Sequence, residues 1–110
     1  MRQAEIWLAN LNPTKGSEQA GTRPVVVVSG DTLNDTLPIA IVVPITSKIK
    51  SYPTCVLLRA TKANGLKEDA EAIPFQIRAL ARQRLTKKIG SVTQEELREI
   101  HKGLFVALTH

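Results

Sequence analysis

Gly16-Ser17-Glu18-Gln19-Ala20-Gly21-Thr22-Arg23-Pro24-Val25-Val26-Val27-Val28 is the stretch from which the fold is read. Its first half is polar, bracketed by Gly16 and Gly21, and holds no apolar period. Its second half is a run of valines that cannot alternate between core and solvent. Val25 to Ser29 is therefore predicted to be a short strand buried on both faces. The polar loop delivers Arg23 to the mouth of that strand. Ile39-Ala40-Ile41-Val42-Val43 has the same character, and Pro44-Ile45-Thr46-Ser47 leaves it in the same way. Pro44 has no N–H to give a ladder, so pairing is expected to weaken there and the chain to turn outward. Two core strands that end in an arginine and in hydroxyls suggest a phosphate site.

Outward from this pair, Glu5 to Leu11 reads as a first strand, with Ile6, Leu8 and Leu11 inward and Trp7 packing beside a turn. The long loop that follows Asn12-Pro13 fits a lid or binding segment. Gly30 to Pro38 is a polar connector with Asp31, Asn34 and Asp35 as turn formers. Thr54 to Arg59 is a fourth strand, Asn64-Gly65 a turn, and Leu66 to Glu71 a short irregular piece. Ala72 to Leu80 makes one or two strands around Pro74, and Leu85 to Ile89 a last short strand or turn. Thr93 and Glu96 fit a capping box, after which Leu97, Ile100, Leu104, Ala107 and Leu108 recur at helical spacing. The expected fold is mainly β with α: a small, strongly curved barrel-like sheet covered by a C-terminal amphipathic helix.

The 110 residues fit one domain spanning 1–110, and a hydrophobic fraction of 43% argues against disorder. A net charge of +5 fits an anionic partner, and equally a merely soluble basic domain. The single cysteine, Cys55, excludes an internal disulfide and lies in an apolar run, so it is expected in the core and not as a nucleophile. No apolar span reaches about 18 residues and no leader opens the chain, which points to the cytosol. His101 reads as a solvated helix residue and His110 is terminal. They make no spaced pair, and no metal or other cofactor is expected.

No phosphate loop ending in Lys-Ser or Lys-Thr is present, and no dinucleotide fingerprint follows a strand. The remaining residues suit phosphodiester chemistry. Arg23 offers a bidentate fork, Thr46 and Ser47 offer hydroxyls, and Glu18 offers a carboxylate able to remove a proton. RNA carries its own 2′-oxygen nucleophile, so neither a covalent intermediate nor a metal is required, and DNA would be left uncut. Two basic runs agree with a polyanion: Lys48, Lys50, Arg59 and Lys62, then Arg78, Arg82, Arg84, Lys87 and Lys88. Each run taken alone also reads as a solvated face. The acids gather at Glu68-Asp69-Glu71 and Glu95-Glu96-Glu99, which suggests a polarised surface. Tyr52 and Phe75 are the aromatics placed to stack on bases.

The chain resembles the MazF/PemK family of toxin ribonucleases. The resemblance runs through Glu5-Ile6-Trp7-Leu8, Asn12 to Pro24, Val43-Pro44-Ile45-Thr46-Ser47 and Gln76-Ile77-Arg78. It implies an SH3-like, CcdB/PemK-like barrel with a C-terminal helix, working as a homodimer. It implies metal-independent cleavage of single-stranded RNA at a short sequence, leaving a 2′,3′-cyclic phosphate and a 5′-hydroxyl. It also implies neutralisation by an acidic, MazE-like antitoxin laid over the RNA groove. By motif position Arg23 and Thr46 inherit the catalytic roles, with Glu18 as the candidate base. Ser17, Gln19, Ser47, Lys48, Gln76 and Arg78 are expected at the RNA. One place departs from the pattern: several relatives carry Asp or Glu where this chain has Phe75. A carboxylate role there is lost unless Glu71 or Asp69 reaches in, and Phe75 is free to stack on a base instead. Two rival readings use the same barrel, a gyrase-poisoning toxin that does no chemistry and an RNA-binding regulator that has lost activity.

Overall fold

Val25 and Val27 pack into one core while Val26 and Val28 pack into another, so the run of valines serves both faces of a sheet. The computed structural model describes residues 1–12 and 21–110. Among them the strands are β1 (Glu5–Asn10), β2 (Thr22–Val27), β3 (Ile39–Thr46), β4 (Val56–Leu58), β5 (Ala70–Ala72), β6 (Arg78–Ala81) and β7 (Leu85–Ser91). The helices are α1 (Asp31–Thr36) and α2 (Gln94–Thr109), with 3₁₀ turns at Pro74–Gln76 and Arg82–Arg84. The strands pair antiparallel in the order β4-β5-β3-β2-β1-β7, and β6 joins β3 beside β5.

β2 and β3 are central, which is why both read as apolar throughout. Ile6, Val26, Val43, Ile45 and Leu58 form the core beneath α2, together with Leu97 and Ile100 of the helix. Ala9, Leu11, Val25, Val27, Val42, Leu80 and Leu85 form the second core, flanked by Met1 and Trp7. Each fully buried valine or leucine contributes roughly 1.5–3 kcal/mol by leaving water. Ile6 and Leu11 are buried as expected, but Leu8 is only half-buried. Register shifts between Ile6 and Trp7 and between Leu8 and Ala9 break the alternation of β1 against β7.

Pro44 does not end its strand. β3 continues to Thr46, with Pro44 opposite Val25 on one side. On the other side Pro44 stands where the neighbour changes, from β6 along Ile39–Val42 to β5 at Ile45 and Thr46. The missing N–H falls at a gap between ladders, and the Pro44 carbonyl still accepts from Ile73 N at 2.9 Å. The stretch around Pro74 becomes that 3₁₀ turn followed by β6.

The connector Gly30 to Pro38 proves to be partly helical. Its turn formers are held by local bonds: Ser29 Oγ donates to Asn34 Oδ1 at 2.5 Å, and Asn34 Nδ2 donates to the Ser29 carbonyl at 2.9 Å. Gln3 N donates to Asp31 Oδ1 at 2.7 Å, and this bond leads in holding the Asp31 carboxyl below its usual range. The barrel closes where backbone meets backbone. Ser91 N donates to the Ala63 carbonyl, and a Cβ on Gly65 or Gly90 would lie 2.0 Å or 2.4 Å from the facing chain's carbonyl oxygen.

α2 begins at the expected capping box. Glu96 N donates to Thr93 Oγ1 at 3.0 Å, and Thr93 N donates to Glu96 Oε1 at 2.8 Å. Leu97 and Ile100 are buried and Leu104 packs beside them, but Ala107 and Leu108 are exposed, as is Phe105. His101 is not simply solvated: its Nε2 lies 3.1 Å from the Val28 carbonyl, tying the helix to the sheet. No described helix is long and apolar enough to cross a membrane.

Candidate functional site

Antiparallel register brings the two predicted residues together. β2 and β3 pair with Val25 opposite Pro44; continuing that register by two residues sets Arg23 against Thr46, and both line the same cleft. On the other flank of β3, Thr46 is opposite Glu71 of β5. Arg23, Thr46 and Glu71 therefore form one row across three strands. They continue the face that carries Val25, Val27 and Val42, where the second core gives out and polar groups take over.

This row borders a cleft of about 360 Å³, to which Arg23, Thr46 and Glu71 all contribute. The loop after β3 adds Ser47, Lys48, Lys50 and Tyr52, and the Pro74–Gln76 turn adds Phe75 and Gln76. The Tyr52 and Phe75 rings stand 6.4 Å apart and tilted by 49°, with Lys50 Nζ 6.0 Å from the Tyr52 ring centre. Both rings are about half exposed (51% and 48%), which leaves faces open to a ligand. Thr46 Oγ1 accepts from Lys48 N at 3.1 Å, so its own proton is directed to another acceptor.

A second cleft, of about 810 Å³, opens on the other face of the same strand ends. Arg23, Thr46 and Ser47 line both clefts and form the rim between them. Pro24 and Ile45, the opposite parity of β2 and β3, form part of its floor, and Lys67, Lys87 and Lys88 surround it with Glu68. Among the described residues no three His, Cys, Asp or Glu side chains gather as a metal-ligand set.

Of the residues expected at the RNA, Ser47, Lys48, Phe75 and Gln76 thus share a cleft with Arg23 and Thr46. Arg78 starts β6 opposite Val42 and does not line either cleft. Ser17, Glu18 and Gln19 lie outside the described residues. Of the residues lining the first cleft, Cys55 and Ile73 are not assigned to it by the sequence reading, which expects Lys50 only as part of a basic run and Glu71 only as one of two acids that could reach in. Glu71 is 4% exposed and accepts from Lys50 N at 3.0 Å and Ser51 N at 3.2 Å. Of the two acids that might have replaced one at position 75, Glu71 reaches the cleft. Asp69 is occupied instead by Ala60 N at 2.8 Å and Arg59 at 3.7 Å.

The surface is less cleanly polarised than the sequence suggests, since Glu71 and Glu68 border the basic clefts. Cys55 is half-buried on the cleft wall, not in the core. Burial, and then the Glu71 charge, push its thiol above the ordinary range, which disfavours the thiolate.

A small antiparallel barrel of seven described strands with a C-terminal helix, and a basic cleft at the ends of β2 and β3, is the architecture of the CcdB/PemK-like toxins. The chain belongs to one family among them, the PemK-like, MazF-like toxins of type II toxin–antitoxin systems, whose family model matches residues 2–108. It is 44% identical to Endoribonuclease MazF9 of Mycobacterium tuberculosis over 110 aligned residues, covering 94% of this chain and 92% of that protein. Among solved structures it is similar to MazF from Deinococcus radiodurans, with a TM-score of 0.87 at 26% identity over 100% of this chain and 97% of the other. The fold is shared with an endoribonuclease in complex with its cognate antitoxin from a Mycobacterial species, with a TM-score of 0.81 at 20% identity over 98% and 94% of the two chains.

Proposed function

We propose that this protein is an endoribonuclease toxin that cuts single-stranded RNA at the rim between the two clefts. The observation that carries the reading is the shared edge of Arg23, Thr46 and Ser47, with cationic and aromatic side chains on one side and lysines on the other. A strand crossing that rim sets one phosphate on Arg23 and Thr46 and lays its neighbours into the two clefts. The aromatic pair offers base-stacking faces, and the bases must be unpaired to use them.

In this mechanism the 2′-hydroxyl gives its proton to Glu18, and the 2′-oxygen attacks the adjacent phosphorus. The guanidinium of Arg23 and the hydroxyl of Thr46 stabilise the charge that gathers on the phosphoryl oxygens. The P–O5′ bond then breaks, giving a 2′,3′-cyclic phosphate, and the departing 5′-oxygen takes up a proton from water while Glu18 returns its own to solvent. A guanidinium keeps its own proton at neutral pH, so Arg23 acts mainly through charge. Each step uses groups of the chain, the RNA or water, which makes the reaction metal-independent in this reading. DNA, without the 2′-hydroxyl, is not a substrate.

The family's toxin–antitoxin description supports a cognate antitoxin, and the basic clefts suit an acidic segment of it. The exposed Phe105 and Leu108 at the end of α2 support a homodimer formed through that helix. We take residues 1–110 as a single domain acting in the cytoplasm. The test is cleavage of a long unstructured RNA in EDTA, with the new 5′ ends mapped to read the preferred sequence. The wild-type protein cuts, and Arg23→Ala lowers kcat by about a hundredfold or more in protein that is still folded by circular dichroism. Cutting that survives the substitution removes Arg23 from the reaction. Binding without cutting by the wild type makes the protein an RNA-binding regulator instead.

A further inference from the structure

The segment between β3 and β4 forms most of one wall of the first cleft, yet it has little structure of its own. Ser51 and Thr54 adopt φ of 54° and 75°, left-handed values that cost a side-chain-bearing residue about 1 kcal/mol or more. Lys50, Ser51 and Tyr52 are exposed, so hydrophobic burial does not fix them. What reaches this segment from below is Glu71. Its two carboxylate oxygens are divided between consecutive amides, Oε1 accepting from Lys50 N and Oε2 from Ser51 N. The same residue is the direct cross-strand neighbour of Thr46.

A buried carboxylate in a cleft suited to an anion is electrostatically unhelpful to that anion, which calls for a compensating role. The geometry supplies one. Charge-assisted bonds to two successive N–H groups fix the height and pitch of the Lys50–Tyr52 segment above Thr46. Tyr52 is in turn the ring that stands beside Phe75, and Lys50 is the cation that stands over the Tyr52 ring. Glu71 thus couples the rigid sheet row to the loop that meets the base.

We propose that Glu71 is a positioning residue: its carboxylate sets the Lys50–Tyr52 segment, and through Tyr52 it sets which base is accepted beside the scissile phosphate. The inference rests on the RNA-cleavage reading, but its first test does not require cleavage. In the wild-type protein the amides of Lys50 and Ser51, though on an exposed loop, exchange with solvent at least about tenfold more slowly than unstructured amides. Exchange at the unstructured rate overturns the proposal, whether or not the protein cuts RNA.

The second test uses Glu71→Gln, which keeps the shape but leaves a single acceptor oxygen for two donors. On RNA of the preferred sequence KM rises about tenfold while kcat stays within about threefold, and the profile of cut sites broadens at one flanking base. Tyr52→Ala gives the same broadening. The double variant is no worse than Tyr52→Ala alone, because both changes act on one contact. A fall in kcat of about a hundredfold at unchanged KM overturns the proposal by placing Glu71 on the reacting atoms. An unchanged KM and cut-site profile overturns it as well. If the wild-type protein cuts no RNA, it is the underlying functional reading that fails.

Discussion

The two basic runs of the sequence look alike and end up doing different work. Lys48 and Lys50 of the first run stand on the cleft wall with Thr46. In the second run Arg82 donates to the carbonyls of Asn34 and Leu37, the latter at 2.8 Å. Arg84 donates to the carbonyls of Asn10 and Asn12. These two arginines staple the ends of α1 and β1 to the 3₁₀ turn ahead of β7. Lys88 is paired with Glu5 at 2.9 Å, and both it and Lys87 line the second cleft. Arg82 and Arg84 show that a positive charge in the sequence can be taken up by the protein's own carbonyls.

The difference can be broken in three ways. The largest effect is expected from Arg82→Ala with Arg84→Ala, which leaves four backbone carbonyls without their cationic donors. Stability falls by about 2 kcal/mol, read as a lower denaturant midpoint, while the salt dependence of RNA binding is unmoved. A weakened salt slope in that variant makes these arginines ligands of RNA and erases the contrast. Next is Lys48→Ala with Lys50→Ala. RNA affinity drops about tenfold at low salt and the log–log salt slope flattens by roughly 1.4, at about 0.7 per single-strand phosphate contact, with the thermal midpoint unchanged. A flat response would mean that the first run, too, is only a solvated face.

The smallest effect concerns Glu5, whose charge Lys88 shares. Burial disfavours its ionised form, but the Lys88 hydrogen bond and coulombic attraction, with bonds from Arg2 N and the Trp7 indole, outweigh that and hold the carboxyl below its ordinary 4.5. Asp31 is likewise depressed from 3.8, led by its bond from Gln3 N. A depressed carboxyl stabilises the fold above its unfolded value, and that stability is lost as pH falls through the folded value. Stability is therefore flat above about pH 5 and declines below about pH 4. Glu5→Gln lowers the plateau and makes the acid decline shallower, by well under 1 kcal/mol for so small a group of pairs. An acid decline identical to that of the wild type removes Glu5 from the linkage.

What was legible in the sequence was whatever is carried by local pattern. The valine run and its partner strand are written in side-chain shape, and the capping box in residues three apart. The placement of Arg23 and Thr46 was legible because one stands at the start of an apolar strand and the other at the end of its antiparallel partner, so strand pairing brings them to the same end of the sheet. Glu71 was legible only as one of two acids that could reach in, since it lies on a three-residue strand whose place is set only by being held between β3 and β4. The carbonyls that engage Arg82 and Arg84 are 45 to 74 residues away along the chain, and nothing nearby announces them. α1 was hidden for the opposite reason: its polar residues satisfy one another over a few positions, as they would in an ordinary turn.

The change of neighbour at Pro44 has a consequence for how such a toxin diversifies. Because β5 and β6 dock on successive parts of one strand, the turn between them crosses from one ladder to the next, held at Ile73 by the Pro44 carbonyl, seated through buried Pro74 against α2 at Gly103, and back on the sheet at Arg78. Phe75 rides on that turn, whereas Arg23 does not. Substitutions at Phe75 can therefore reshape the exposed wall of the first cleft while the strand register that carries Arg23 and Thr46 stays as it is.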